Sequence, residues 1–247
     1  MTETTKDKTE RLGNFVADML NPDPPTVYMD LKQGSDEWLS LRSKYPTASE
    51  LDQLVSPAKL KVREGKTIES YVATKLAEKW LGAPLQGFSL SGQMDRGSIL
   101  EQDAWPWYAL SYNKLLTRPG FILAGDGRCG CSPDGFIEGE RFGLEIKCPD
   151  ADTHVGYILD GGLPQQYVMQ VQGSMLVTGY KSWTFLSYHP RFPQLVVDVR
   201  RDERIIDALR AGLDAYWTMF DAGWAKLIEA NGGLPEIEKP KQGAWQR

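Results

Sequence analysis

Cys131-Ser132-Pro133-Asp134-Gly135-Phe136-Ile137, followed after a polar turn by Phe142-Gly143-Leu144-Glu145-Ile146-Lys147-Cys148-Pro149, is the stretch that decides the reading of this chain. In Glu145-Ile146-Lys147 two charged residues alternate with an apolar one. On a strand both therefore project from one face while Ile146 points to the other. Asp134 closes the tight turn Ser132-Pro133-Asp134-Gly135, and the ten residues between it and Glu145 suffice for a hairpin that returns beside it. Two carboxylates on adjacent strands offer hard oxygen ligands for magnesium, and a lysine beside them can hold and polarise an attacking water or a phosphate. Phosphodiester hydrolysis needs all of these elements. A bare pattern of this kind also describes an exposed ion pair on an edge strand, so the surrounding sequence has to separate the two.

Working outward, the short runs 121–124, 128–132, 136–137 and 142–147 are punctuated by Gly and Asp and read as strands joined by turns. A helix is expected from about 165 to 177. It carries Tyr167, Gln170 and Ser174 on one face, with Val168, Val171, Met175 and Leu176 turned mostly to the core, and a neutral polar face on so apolar a helix needs partners. Strands at 182–188 and 195–199 precede a long helix from 202 to about 230, whose buried side holds Ile205, Ile206, Leu209, Leu213, Tyr216, Trp217 and Phe220. Upstream, a helix over about 95–112 places Glu101 one step off its apolar stripe. Thr67 is expected to cap a helix that ends at Gly82, and Ser35 and Asp36 a shorter one. Thr47-Ala48-Ser49 opens a further helix, with Arg42 in the loop between those two. Residues 56–66, with Lys59, Lys61, Arg63 and Lys66, read as an exposed basic loop. Residues 1–25 read as a mobile arm with a short amphipathic helix stopped by Asn21-Pro22-Asp23-Pro24-Pro25, and 26–247 as a single domain. This order of elements suits the α/β (α+β) class, a central mixed β-sheet flanked by helices.

Composition narrows the function classes. A net charge of −5 argues against a protein that coats nucleic acid through bulk positive charge, although clustered carboxylates become attractive to phosphate once cations occupy them. Three cysteines can build neither a paired disulfide framework nor a four-thiolate iron–sulfur or zinc site. His154 and His189 beside Cys129 and Cys131 match no zinc spacing. The absence of a long apolar run or secretory leader leads to the expectation of a cytoplasmic protein with no membrane partner.

Arg96-Gly-Ser-Ile-Leu-Glu-Gln-Asp-Ala104, CSPDG at 131–135, LEIKCP at 144–149 and YVMQVQGSMLVTG at 167–179 stand in an order and spacing that resembles lambda exonuclease and its viral-recombinase (YqaJ-like) relatives, within the PD-(D/E)XK nuclease superfamily. QGSDEWLSLRSKYPTASE at 33–50 resembles that family's opening motif, matching blocks reach His189-Pro190-Arg191, and the terminal GAWQR is similar too. The resemblance implies the restriction-endonuclease-like fold and Mg²⁺, for which Mn²⁺ could substitute, held by Asp134, Glu145, the Ile146 carbonyl and an acidic cluster that includes Glu101. It implies that Lys147 orients the water, that Gln170 and Tyr167 line the cluster, and that Arg42, Ser49 and Ser132 recognise a 5′-phosphate. The implied activity is a 5′-to-3′ exonuclease that degrades one strand of double-stranded DNA from its ends and leaves a 3′ overhang for recombination. The implied partners are two further copies in a homotrimeric ring and a single-strand annealing protein. A structure- or site-specific endonuclease, or a non-catalytic DNA-end-binding module, would share the same sheet.

Overall fold

A computed structural model describes residues 23–85, 92–137 and 141–235. Residues 1–22 of the expected arm, its helix included, and the terminal GAWQR lie outside these. In chain order the first half contains β1 (Thr26–Tyr28), α1 (Asp36–Arg42), β2 (Val55–Ser56), β3 (Lys61–Val62), α2 (Lys66–Leu81) and α3 (Gly92–Tyr112). Then come β4 (Leu116–Thr117), β5 (Phe121–Leu123), β6 (Gly130–Cys131), β7 (Gly135–Ile137), β8 (Phe142–Lys147) and α4 (Ala151–Asp160). The chain continues with α5 (Val168–Thr178), β9 (Ser182–Ser187), β10 (Leu195–Arg200) and α6 (Glu203–Asn231).

The central sheet is mixed, as expected, with five strands in the order β10-β9-β8-β7-β4. Strand β8 lies in its middle, parallel to β9 and antiparallel to β7. The strands expected from residue 121 onward do not all enter it: β5 and β6 join β1 in a separate three-stranded sheet. The two-residue alternation of β8 sorts its side chains onto the two faces. Leu144 and Ile146 pack with Ile137 and Leu186 against Ala104 and Tyr108 of α3, while the Glu145 and Lys147 face is covered by α5 and the turn before it. At Gly143 the backbone of β8 meets the ring of Trp183, its register partner on β9; a Cβ there would lie 2.3 Å from the indole.

A second core joins the 3-10 turn Ala48–Gln53 to α2, α5 and α6 through Leu51, Leu54, Ile68, Val72, Met169, Leu209, Leu213 and Phe220. Leu209, Leu213 and Phe220 are positions that the 3.6-residue period of α6 marks.

Several local expectations are corrected. The α2 helix is entered from Gly65 at φ 67, not capped by Thr67, because the chain turns sharply out of β3. The basic loop is in part a hairpin, β2 pairing with β3, and Arg63 Nε donates to the Asp52 carbonyl (2.5 Å) rather than reaching into solvent. Residues 165–167 are a 3-10 turn ahead of α5, and Thr47 opens a 3-10 rather than an α-helix, through a capping box with Glu50. Arg42 is the last residue of α1, not a loop residue. No helix among the described residues is long and apolar enough to cross a membrane.

Candidate active site

Asp134 reaches Glu145 because Pro133 keeps β7 from starting any earlier than Gly135. The Asp134 N–H donates to the Leu144 carbonyl (3.1 Å), extending the β7–β8 ladder by one rung. Pro133 has no N–H to continue it, and its carbonyl accepts instead from Gln33 Nε2 (3.0 Å), which also donates to the Pro119 carbonyl (2.9 Å). With the main chain peeled away, the Asp134 carboxylate takes the vacated rung: Oδ2 accepts from the Ile146 N–H at 2.6 Å. Trp105 Nε1 (3.1 Å) and Arg118 Nε (3.2 Å) donate to the Asp134 carbonyl and hold it from the other side.

Glu145 is buried in mid-strand. Its Oε1 accepts from Gln170 Nε2 (2.5 Å), in the first turn of α5, and pairs with Lys147 Nζ at 2.6 Å. Lys147 Nζ sits 5.3 Å above the ring of Tyr167, which is stacked on Phe185. Thus Asp134, Glu145, Lys147, Gln170 and Tyr167 converge. Ser174, expected on the same polar face, is buried one turn further along α5 and hydrogen-bonds Cys131. Glu101 lies close enough to raise the Asp134 carboxyl, but its own carboxylate is paired with Arg118 NH2 at 2.6 Å. Among the described residues no three His, Cys, Asp or Glu side chains are grouped to hold a metal ion.

The cluster carries more negative than positive charge. Desolvation by burial pushes Asp134 up to about 7; Glu101 adds to the rise, and Lys147, the Ile146 N–H and Arg118 oppose it. Burial likewise raises Glu145 to about 7, against the pull of Lys147 and with a further push from Asp134. For Lys147, burial disfavours the charge, but Glu145 and Asp134 outweigh it and hold the ammonium above the ordinary lysine value. Two carboxyls share one ammonium, and each uses one oxygen on a protein donor, Asp134 Oδ2 and Glu145 Oε1. Their other oxygens take no hydrogen bond from a described residue. That donor set, two hard oxygens short of positive charge, fits a divalent cation such as magnesium.

Arg42, Ser49 and Ser132 come together from three elements. Arg42 NH2 donates to Ser49 Oγ at 2.6 Å. The turn bearing Ser49 is tied to β6, two residues before Ser132, by the Gly130 N–H to the Pro46 carbonyl (3.0 Å) and a bridge between Thr47 and Gly130. Arg42 also lowers the Glu145 carboxyl electrostatically, so this basic group lies within electrostatic reach of the carboxylates.

Sequence reasoning missed Gln33, Trp38, Trp105, Arg118 and Tyr157. Tyr157 lies edge-on to Tyr167 at 6.2 Å and accepts from Gln166 Nε2 (2.7 Å). The one available signal was Trp38, a single helical turn ahead of Arg42. The histidines serve structure: His154 ring nitrogens contact Ser187 Oγ (2.7 Å) and the Pro193 carbonyl (3.0 Å), and His189 Nδ1 accepts from the Arg191 N–H. Burial raises both the Cys129 and Cys131 thiols, which makes them inert packing groups.

A central mixed sheet flanked by helices is the architecture of the nuclease fold, and solved exonucleases share that fold. LHK-Exo, an alkaline exonuclease from Laribacter hongkongensis also crystallised in complex with dAMP, superposes with a TM-score of 0.70 at 26% identity, over 80% of this chain and 98% of that one. A phage-related exonuclease from Haemophilus somnus 129PT superposes with a TM-score of 0.57 at 15% identity, over 74% and 96%, a likeness of fold alone. Residues 37–181, more than half the chain, match the model of the YqaJ-like viral recombinase domain, and the chain belongs to that family. No curated protein matches it.

Proposed function

We propose that this protein is a magnesium-dependent DNA exonuclease that degrades one strand of linear duplex 5′-to-3′, starting from 5′-phosphorylated ends and leaving a 3′ overhang. The observation that carries the reading is a carboxyl pair short of positive charge beside Lys147, within electrostatic reach of a separate Arg42–Ser49–Ser132 cluster. The first suits phosphodiester chemistry and the second a terminal phosphate. Family membership and the name borne by LHK-Exo support it.

Asp134 and Glu145 would hold the cation through their unshared oxygens, with the Ile146 carbonyl on the same strand. Such an ion supplies a polarised water and screens the charge that develops on the phosphate. Gln170 fixes the rotamer of Glu145, so the carboxylate does not reorganise during turnover. Lys147, cationic at working pH, holds the water and the attacked phosphate rather than serving as a base. Arg42 can grip a terminal phosphate through two parallel hydrogen bonds, with the hydroxyls of Ser49 and Ser132 completing the grip.

The assignment extends to a homotrimeric ring, which would explain how an acidic chain stays on DNA, and to a single-strand annealing protein as the consumer of the overhang. The decisive experiment compares a 5′-phosphorylated linear duplex, a 5′-hydroxyl duplex and a closed circle, in Mg²⁺ and in EDTA. Mononucleotides released from phosphorylated ends only with metal are expected. Cutting of the circle would favour an endonuclease, and full cleavage in EDTA would refute the metal dependence.

A further inference from the structure

Trp38 touches two of the three residues assigned to the terminal phosphate, and nothing in the sequence motif gives it that role. Its indole is buried, with 6% exposure. The single Nε1–H is shared between the Gly120 carbonyl (3.0 Å) and Ser132 Oγ (2.9 Å), and the Arg42 guanidinium lies 5.0 Å above its ring. An indole nitrogen only donates. Ser132 Oγ is therefore the acceptor in that bond, and its own proton points elsewhere and can be given to an anion. The ring face takes Arg42 by a cation–π contact and leaves the guanidinium edge for planar recognition.

Ser49 differs: it accepts from Arg42 and commits its own proton to Thr47 until a phosphate competes for it. Thr47 Oγ1 donates to Glu50 Oε2 (2.8 Å), so in its 3.2 Å contact with Ser49 Oγ it can only accept. Glu50 also takes the Tyr71 hydroxyl (3.1 Å) and the buried Lys75 ammonium (3.6 Å), which anchors the turn in the second core. The indole thus adds a side-chain link between Arg42 and Ser132 to the backbone tie that joins the Ser49 turn to β6.

We infer that Trp38 is a positioning residue for 5′-end specificity, holding Arg42 and Ser132 in the donor arrangement that distinguishes a 5′-phosphate from a 5′-hydroxyl. The inference rests on the exonuclease reading above. Trp38→Phe keeps an aromatic face for Arg42 but removes the donor to Ser132. The ratio of digestion rates on phosphorylated over hydroxyl ends should fall about three- to tenfold, the worth of one such bond, mainly through KM on phosphorylated ends. Ser132→Ala should lower the ratio similarly, and the double variant no further, because the two act as one unit. A purely structural role would slow both substrates in parallel and lower the melting temperature with the ratio intact. That result, or independent additive losses in the double variant, would overturn the inference. A wild-type enzyme that digests DNA without any preference for a phosphorylated end would remove the specificity to be explained, and a wild type that releases no nucleotide would instead refute the nuclease reading itself.

Discussion

The two halves of the site are built differently. Asp134, Glu145 and Lys147 sit on or beside the central strand of a five-stranded sheet, and their mutual placement follows from strand register, a backbone N–H and a proline that bounds the neighbouring strand. Arg42, Ser49 and Ser132 come from a helix end, a 3-10 turn and the residue after a two-residue strand, and one backbone bridge and several side-chain contacts hold them together. Groups that must stabilise charge in a transition state gain from being fixed before the substrate arrives. Groups that recognise an end only have to bind, and can sit on elements whose side chains adapt. The chemistry should therefore fail abruptly when perturbed, and the recognition by degrees.

The largest effect expected from that contrast is at the carboxyls. Asp134→Ala or Glu145→Ala should cut turnover on the order of 10⁴-fold, to background, while circular dichroism still reports a folded protein. Both carboxyls sit where burial opposes their charge, so their loss does not remove a stabilising pair. Variants that unfold would tie these residues to the fold instead and erase the distinction between the two halves.

The Lys147→Ala change should slow the chemical step about a hundredfold or more, with metal binding nearly intact, and Lys147→Arg should rescue only part of it because the planar group spreads the charge. Single-turnover digestion measured beside DNA binding in Ca²⁺ would check this. Wild-type cleavage by Lys147→Ala would reduce the lysine to a salt-bridge partner.

A pH dependence sharpens the comparison from the side of stability. With both carboxyls raised to about 7 in the folded state, the native protein retains protons that the unfolded chain releases near pH 4. Their contribution to metal-free stability is most favourable below about pH 4 and declines as pH rises to about 7, then levels off. Subtracting the melting curve of Asp134→Asn/Glu145→Gln from that of the wild type should isolate this slope. Mg²⁺ binding should tighten over the same interval, because the ion displaces those protons. A difference curve that is flat between pH 4 and 7 would show that the carboxyls are not raised.

The smallest effect is expected at the recognition end. Arg42→Ala should lower the preference for phosphorylated over hydroxyl 5′ ends by about tenfold while sparing the rate on hydroxyl ends. An unchanged ratio would detach Arg42 from end recognition.

Strand β8 was legible to the residue, 142–147, because alternation of charged and apolar side chains at a period of two has no helical counterpart. The long final helix was legible for the corresponding reason at period 3.6. What escaped was pairing. Nothing in Phe121–Leu123 or Gly130–Cys131 announces that they would join Thr26–Tyr28 in a sheet of their own, since strands of two or three residues carry no period. The 61–62 strand was hidden inside a run of lysines. At the site, charged residues at motif spacing could be named, but the groups that aim them could not. Gln33 acts on Pro133 from 100 residues away, and Trp38 on Ser132 from 94. Such bonds depend on tertiary approach, and a tryptophan among many reads as core.

The Gly143–Trp183 contact also limits how strand β8 can be threaded. Side chains on a strand alternate with a period of two, so sliding β8 by one residue against β9 would put Ile146 into the site and turn both Glu145 and Lys147 into the apolar layer against α3. It would also bring Leu144 or Phe142 opposite the indole, where even a Cβ at Gly143 would lie within 2.3 Å of the ring. The glycine and the tryptophan thus act as a keyway that accepts the strand in one setting only, so a packing contact two residues along from Glu145 determines which face of the sheet is capable of chemistry.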